Sequence, residues 1–493
     1  SHQGLQARLG KGVSVLTIGP AAENLVTFAT LLADEGASGS GGLGAVMGSK
    51  NLKAVAVEGK KRPTAADPAR LRRLADHLRE INRKPPISMW KIPGRTRAHV
   101  CYGCVIGCDR QMYTGEDGRR YKHFCQPTDV YRAQALERYG GWNEVQLLAI
   151  RLCDGYGLDT TVMKGLIGWV IACQRQGLLS EADTGLPLSG VGTAGFIEAL
   201  TRMISFREGF GDTLARGTIA AAEAVGAEAK AMLHDFIGTR AGENKDYDPR
   251  LMATTALLYA TEPRRPIQQL HDVAGPVMGW LGWGGGGAAG PPFSDAQLRD
   301  VALKFWGSEI AGDFSTYEGK AQAARLIQDR TCAKESLVLC DMRWPLNLAY
   351  FPSGYTGETG LESRILSAIT GKERDAAGLQ KEGERIFNTQ RAVLLREGWE
   401  PRRDDAPLDY YFQEPLKQGE LFYSPDCLAP DGRGQTISRR GAVVDRGAFE
   451  AMKQEYYASR GWDIASGLPT RAGLEELQLG DIARDLAPRG LLR

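Results

Sequence analysis

The sequence predicts a mostly α-helical protein of the α+β class that begins with a short β-rich segment. Beyond Pro63, apolar residues recur with the helical period and strand-like runs become scarce. Before that point, two strand-like runs, 13–18 and 54–57, enclose a Gly-rich stretch. A chain of 493 residues with 43% hydrophobic residues has enough apolar side chains for about three domains' worth of core.

The elements of the first segment can be placed in order. The strand at 13–18 is followed by Gly19-Pro20, which predicts the start of an amphipathic helix with Leu25, Phe28, Leu31 and Leu32 on one face and Gly36 at its end. The Gly-rich stretch 37–53 then leads into the strand at 54–57. Backbone N–H groups of such a loop could hold a phosphate, although a tight turn is the simpler explanation of the loop alone.

The remainder of the chain reads as a series of helices, several bounded by glycine and capped by Asn143 or Thr193. The predicted helices are 66–82, 128–139, 143–154, 162–176, 194–207, 212–225, 295–305, 318–333, 361–370, 383–397, 447–459 and 472–478.

Composition argues against several classes of partner. The 61 basic and 59 acidic residues give a net charge of +2 without long like-charge blocks, so neither nucleic acid nor an anionic membrane is indicated. No apolar stretch approaches the length of a membrane span, and no signal pattern opens the chain. Nine cysteines in an uneven arrangement suit metal ligation and buried thiols better than disulfides. The expected location is cytoplasmic, and the expected ligand is a small molecule.

The most informative motif is the triplet Cys101, Cys104 and Cys108. Three thiols at C-x2-C-x3-C spacing in a Gly-punctuated loop suit a cubane iron–sulfur cluster, whose fourth thiolate would come from elsewhere in the fold. The alternative is a structural zinc site, which more often uses two separated C-x2-C pairs. Spacing alone favours iron–sulfur.

Several stretches in order resemble the aldehyde ferredoxin oxidoreductase family, from about residue 10 to the carboxyl end. They are 18–25, 41–54, the Cys triplet, 156–160, 248–250, 258–261, 337–340 and 456–463. The resemblance implies a tungsten or molybdenum centre held by two pterins and a [4Fe–4S] cluster. It implies cluster ligation by Cys101, Cys104, Cys108 and Cys340.

The resemblance also implies the pterin-binding residues. Asp154, Gly157, Leu158 and Asp159 match the family's D-x-x-G-L-D motif. The second motif, D-x-x-G-L-C, is matched less well, since Glu335 replaces Asp and Val338 replaces Gly before Leu339. On the phosphate side, the resemblance points to Gly42, Gly44 and Lys50, although Ser40 stands where the family usually has Arg.

The family architecture implies three parts for this chain. Residues 1–62 would be the C-terminal remnant of an N-terminal β-rich pterin-binding domain, which suggests a fragment. Residues 63–245 would be a helical domain with the Cys triplet and the first pterin motif. Residues 246–493 would be a second helical domain with the fourth cluster cysteine.

The residues expected near the substrate depart from the family. Where aldehyde oxidoreductases have a stretch resembling E-Y-E-T, this chain has His123-Phe124-Cys125-Gln126. Related class II benzoyl-coenzyme A reductases use a Cys as a tungsten ligand, and Cys125 resembles that arrangement; the alternative is a buried small apolar residue. His123 is a candidate proton donor or a polar surface residue, and His271 is a loosely placed candidate for proton transfer.

The resemblance therefore predicts an anaerobic-type oxidoreductase that converts an aldehyde and water to a carboxylic acid and passes electrons to a ferredoxin-like carrier. Cys125 favours an alternative, reductive dearomatisation of an aromatic acyl thioester. A third hypothesis is a non-enzymatic iron–sulfur electron-transfer or assembly subunit. An oligomer is possible under each of these hypotheses.

Overall fold

The computed structural model describes residues 2–10, 12–33, 36–59, 61, 63–81, 90–101, 103–104, 107–108, 110–124, 126–282, 293–340 and 356–493. The α-helices are α1 (His2–Leu9), α2 (Pro20–Glu23), α3 (Leu43–Ser49), α4 (Pro68–Ile81), α5 (Arg132–Tyr139), α6 (Glu144–Tyr156), α7 (Thr160–Arg175), α8 (Glu181–Thr184), α9 (Ala194–Phe206), α10 (Phe210–Leu214), α11 (Thr218–Val225), α12 (Ala227–Ala231), α13 (Thr254–Ala260), α14 (Ile267–Trp280), α15 (Asp295–Trp306), α16 (Lys320–Ser336), α17 (Leu361–Thr370), α18 (Ala376–Arg396), α19 (Pro401–Asp404), α20 (Tyr410–Gln413), α21 (Arg446–Ser459), α22 (Arg471–Glu476) and α23 (Gly480–Leu486).

The strands form small antiparallel sheets. They are β1 (Val13–Ile18), β2 (Leu31–Leu32), β3 (Ser38–Gly39), β4 (Ala54–Glu58), β5 (Thr96–Ala98), β6 (Gln111–Thr114), β7 (Arg120–His123), β8 (Leu428–Pro430) and β9 (Thr436–Ser438). The strand orders are β3-β2-β1-β4, β5-β6-β7 and β8-β9. In the first sheet Thr17 pairs with both Leu32 and Ala54. The predicted class, mostly α with α+β character, is confirmed.

The chain divides into two compact units. Unit 1 consists of Ser1–Arg62, Ser88–Val100 and Asp109–Lys245, and unit 2 consists of Pro63–Ile87, Cys101–Cys108 and Asp246–Arg493. The cysteine loop is therefore grouped with the C-terminal half of the chain rather than with its neighbours in sequence. The three-part division derived from the sequence remains a prediction.

The predicted helix over 20–36 is wrong. Helix α2 ends at Glu23, and Leu25 has a positive φ of 55°. The Arg207 guanidinium explains the break, because Nε donates to Asn24 O at 2.6 Å and Nη2 donates to Leu25 O at 2.7 Å. Because both carbonyls accept hydrogen bonds from Arg207, a residue distant in sequence, they are not available for the hydrogen bonds of a longer helix.

Most of the other predicted helices are present with shifted ends, and the helix predicted over 361–370 has the same bounds as α17. The helix predicted over 212–225 is in fact two, α10 and α11, interrupted at Gly217 with φ of 98°. Helices α13 and α14 were not predicted, and neither was the sheet β5-β6-β7. Among the described residues, no helix is both long enough and apolar enough to cross a membrane.

In unit 1 the core lies around α7, where Met163, Leu166 and Trp169 are buried. The Trp169 indole N–H donates to Ala229 O at 2.9 Å, so its one polar atom is satisfied within the apolar interior.

In unit 2 the core surrounds α16, and α21 packs against that helix. The buried Arg460 guanidinium contacts the carboxylate of Asp329 on α16, and its Nη2 donates to Gln328 Oε1 at 2.8 Å. The Tyr456 hydroxyl donates to the same Gln328 oxygen at 2.5 Å. The sequence stretch 456–463 therefore holds α16 in place through buried, charge-assisted bonds.

Candidate functional site

The cysteine loop of unit 2 has a tightly turned backbone. The Cys104 N–H donates to Cys101 O at 3.1 Å, and the Gly107 N–H donates to Cys104 Sγ at 3.3 Å. Gly103 and Gly107 have φ of 76° and 71°, a conformation that side-chain-bearing residues adopt only with strain. Cys101 is exposed, while Cys104 and Cys108 are half-buried. Backbone N–H bonding to a loop sulfur is the kind of contact that tunes a bound iron–sulfur cluster.

Cys340 follows the end of α16 in the same unit and is exposed. The adjacent Leu339 packs against the apolar cluster that Leu74, Leu78 and Leu361 help to form, which fixes the backbone next to the cysteine. The described residues contain no group of three or more His, Cys, Asp or Glu side chains suited to one metal ion. Convergence of the four predicted thiols on one cluster therefore remains a proposal, supported by the donor set and the turned loop.

The two pterin-motif segments end their helices in the same way. The Leu158 N–H donates to Cys153 O at 2.8 Å, and the Leu339 N–H donates to Lys334 O at 3.0 Å, each spanning five residues. The residue before each leucine has a positive φ, 80° at Gly157 and 55° at Val338. This is the Schellman type of helix end. The second motif thus keeps the backbone geometry of the first although its glycine has been replaced.

Val338 is strained by this geometry, because β-branched residues avoid positive φ, and its side chain is 90% exposed. Relief of about 1–2 kcal/mol of strain outweighs the entropy cost of glycine, so we expect Val338→Gly to raise the free energy of unfolding by about 0.5–1 kcal/mol. Urea denaturation measures this change. The control is Val393→Gly on an exposed face of α18, which we expect to lower stability by about 0.5 kcal/mol. An equal loss in the free energy of unfolding at both positions would show that Val338 is unstrained.

The acidic residues of the first motif have distinct environments in unit 1. Lys122 Nζ, which is buried, donates to Asp154 Oδ1 at 2.6 Å and to Gly36 O at 3.2 Å. Burial raises the pKa of Asp154, and Lys122 opposes that shift. Asp159 caps α7, since its Oδ1 accepts from Thr161 N at 2.8 Å and from Thr161 Oγ1 at 2.7 Å. Asp159 therefore has a structural role whether or not it also binds a pterin.

The Gly-rich segment packs closely within unit 1. Methyl groups at Gly44 and Gly48 would lie 2.5 Å from Thr30 O and 1.9 Å from Ala22 O, so α3 can approach this backbone only with glycine at these positions. Gly42 precedes α3 with φ of 77°, and Lys50, which follows the last residue of α3, is exposed. Packing thus explains Gly44, and the roles of Gly42, Gly44 and Lys50 toward a phosphate remain a proposal.

His123 lies at the end of β7 and is 2% exposed, so the alternative of a polar surface residue is wrong. Its ring meets Trp142 edge-on at a centroid distance of 5.3 Å and lies 6.0 Å from the Tyr113 ring. Burial, assisted by the positive charge of Arg132, lowers its pKa to about 4. The imidazole is therefore neutral at pH 7. Cys125 lies outside the described residues.

His271 lies in the second turn of α14 in unit 2. Its Nε2 is 2.9 Å from the Tyr247 hydroxyl, and the two rings are perpendicular with centroids 5.2 Å apart. The half-buried imidazole is thus oriented by a phenol that could share a proton with it. The structure places His123 and His271 in different units.

Glu262 is a titratable residue that the sequence did not single out. It follows α13, and its carboxylate oxygens accept from Gln269 Nε2 at 2.6 Å and from Gln390 Nε2 at 2.7 Å. Burial, together with the negative charge of Glu335, raises its pKa to about 7. The signal in the sequence was its place directly after the stretch 258–261.

The raised pKa of Glu262 predicts a pH-dependent stability. Between its ordinary value of 4.5 and about 7, the folded state keeps a proton that the unfolded state releases. Stability should therefore fall as pH rises through this window, by about 1–3 kcal/mol relative to a Glu262→Gln variant. Urea denaturation of both proteins from pH 4.5 to 8 measures the difference. The exposed substitution Glu455→Gln should keep the wild-type dependence of the free energy of unfolding on pH. The same dependence in Glu262→Gln would contradict the raised pKa of Glu262 as its cause.

Comparison with known proteins defines the class and then the relatives. Residues 73–479 match the family model described as aldehyde ferredoxin oxidoreductase, domains 2 and 3, and residues 1–59 match its N-terminal domain. The chain therefore belongs to the aldehyde ferredoxin oxidoreductase family, a family of oxidoreductases.

Two relatives are named tungsten-containing aldehyde ferredoxin oxidoreductase. The one from Pyrococcus horikoshii is 26% identical, over 94% of this chain and 74% of the relative, and the one from Pyrococcus furiosus is 26% identical, over 95% and 74%. A further relative is the aliphatic sulfonate oxidoreductase, WOR-like subunit, of Pyrococcus furiosus, which is 24% identical over 97% of this chain and 72% of the relative.

The fold is also similar to a solved structure, the active site complex BamBC of benzoyl coenzyme A reductase in complex with 1,5-dienoyl-CoA. The TM-score is 0.69 at 19% identity, and the match covers 99% of this chain and 77% of that chain. At this identity the likeness concerns the fold alone.

Proposed function

We propose that this chain is a tungsten- or molybdenum-pterin and iron–sulfur oxidoreductase that oxidises aldehydes to carboxylic acids. The observation that carries the proposal is the pair of matching helix ends, one followed by Asp159 and the other by Cys340, together with the turned loop of Cys101, Cys104 and Cys108. Family membership and the tungsten-containing relatives support it.

The residues present fit these groups chemically. Cys101, Cys104, Cys108 and Cys340 would hold the cluster, and their thiols belong to one compact unit. Asp154, Gly157, Leu158 and Asp159 would hold one pterin, and Glu335 with Leu339 the other. When bound, these groups would supply two-electron chemistry at the substrate and single-electron transfer to a ferredoxin-like carrier.

The protein's own part in the reaction is to bind, orient and move protons. Oxidation of an aldehyde with water gives a carboxylic acid, two electrons and two protons, so a proton acceptor is required. His271 suits this role because Nε2 is hydrogen-bonded to the Tyr247 hydroxyl, which fixes the ring and can relay the proton. Lys122 orients Asp154 through the 2.6 Å bond to Oδ1.

A second candidate function is a benzoyl-coenzyme A reductase-like reduction of an aromatic acyl thioester. The sequence His123-Phe124-Cys125-Gln126 favours it, since this chain has a thiol where aldehyde oxidoreductases have a carboxylate. If Cys125 ligates tungsten, Cys125→Glu should abolish thioester reduction while leaving an aldehyde oxidase active.

Anaerobic purification, metal analysis and dye-linked assays test the proposal. We expect iron together with tungsten or molybdenum, and reduction of a viologen dye that depends on acetaldehyde or benzaldehyde. Turnover of benzoyl-coenzyme A alone would favour the second candidate. Iron alone would favour an electron-transfer or assembly subunit, and zinc alone would exclude the redox proposal.

A further inference from the structure

A group of buried polar atoms in unit 1 has no partner among the residues that the structure describes. Within that part of the chain, His123 Nδ1, Thr128 Oγ1 and both polar atoms of the Gln146 side chain are buried without a hydrogen bond. The three residues are 2%, 3% and 1% exposed. Native proteins rarely leave such atoms unpaired, because each gives up its bonds to water on folding. Several such atoms on elements that pack against one another indicate that something polar binds there.

Three adjoining elements carry these residues. His123 ends β7, Thr128 lies in the 3-10 turn Gln126–Asp129, and Gln146 lies in the first turn of α6. Helix α6 packs against both β7 and this turn. The start of α6 is fixed to the sheet by the bond between the Tyr113 hydroxyl and the Glu144 carboxylate.

Aromatic rings border the same place. Trp142 lies edge-on to His123 and tilted 5.4 Å from Tyr113, and it is itself half-buried, so this ring borders solvent. A flat ligand could pack against these rings. The hydroxyl and the carboxamide carry no charge, and the carboxamide and the imidazole each offer a donor and an acceptor. Such a set can hydrogen-bond a neutral carbonyl group through several donors and acceptors at once.

We propose that His123, Thr128 and Gln146 form a binding site for a neutral carbonyl group on a flat ring. The inference rests on the proposed function, which supplies two sources of this chemistry: the carbonyl of an aromatic substrate and the pyrimidinone edge of a pterin. Thr128 and Gln146 are new candidates for ligand contact in this chain. Their role is to bind and orient, and no electron or proton transfer is assigned to them.

Titration of the 493-residue protein with benzamide and with 2-amino-4-oxopteridine, monitored by isothermal titration calorimetry, tests the site. We expect at least one probe to bind, and Gln146→Leu and Thr128→Val each to weaken it about 5- to 10-fold. Benzamide binding alone points to the substrate, and pteridine binding alone points to the pterin. The exposed substitution Gln454→Leu on α21 should leave binding unchanged.

Thermal stability supplies an independent readout. Because the replaced atoms have no hydrogen-bond partner in the described part of the chain, both variants should melt at or above the wild-type temperature. Unchanged probe affinity in both variants, no binding of either probe to the wild type, or a lowered melting temperature would each overturn the site. Metal content, measured on the same samples, reports separately on the proposed function. Carbonyl binding by a protein without iron would contradict the proposed function and leave the proposed site standing.

Discussion

Replacing Cys340 with serine is expected to remove most of the iron from the anaerobically purified protein. A cubane cluster holds about four irons on four thiolates, and a serine hydroxyl at pH 7 is a much poorer ligand. The backbone before Cys340 is fixed by Leu339, whose N–H donates to Lys334 O and whose side chain packs in the apolar cluster. The substitution should therefore change the ligand without disturbing the fold.

Iron analysis and low-temperature EPR of the dithionite-reduced protein measure this effect. The matched control is Cys427→Ser, because Cys427 is buried and its thiol donates to Lys417 O at 3.3 Å, a bond that a hydroxyl can also make. We expect the control to retain wild-type iron and the reduced-cluster signal. Full iron content and an unchanged signal in Cys340→Ser would show that the fourth ligand lies elsewhere.

The second large effect concerns stability. Asp405 is fully buried and accepts from Arg391 Nη1 at 2.8 Å, Arg391 Nη2 at 2.6 Å, Tyr457 Oη at 2.5 Å and Trp399 Nε1 at 2.8 Å. Asp405→Asn leaves the buried guanidinium without its counter-charge. We expect a loss of about 3–5 kcal/mol in the free energy of unfolding.

Chemical denaturation followed by far-UV circular dichroism measures the loss. The control is Asp426→Asn, an exposed carboxylate that accepts one bond from Gln418 Nε2 at 2.9 Å, for which we expect a change within about 0.5 kcal/mol. A change below about 1 kcal/mol for Asp405→Asn would mean that water reaches the pair and screens it.

Local signals in the sequence predicted much of the fold. Helix α17 has the predicted bounds because it lies between Gly360 and Gly371, and the latter adopts the left-handed conformation at the helix end. The 20–36 helix could not be excluded from sequence, because what ends α2 is the distant Arg207. The grouping of the cysteine loop with unit 2 is likewise a property of the tertiary fold.

The candidate site likewise has features that the sequence predicts and features that depend on the tertiary fold. The spacing of the cysteines and the D-x-x-G-L-D pattern are visible in the sequence, and the structure adds that Val338 adopts the conformation of the glycine it replaces. The sequence marks Glu262 only by its place after the stretch 258–261, and it does not mark Gln146. Both residues are notable for burial and for neutral or missing hydrogen-bond partners, which a single sequence does not report. Asp159 has a second explanation, the cap of α7, that a motif alone cannot supply.

The central claim is that the thiols of Cys101, Cys104, Cys108 and Cys340 bind one iron–sulfur cluster. The most direct test is anomalous diffraction at the iron K-edge from crystals of the anaerobically purified protein. We expect a single compact iron peak within bonding distance of all four Sγ atoms. Iron that is absent, or bound with the Cys340 sulfur outside bonding distance, would contradict the claim.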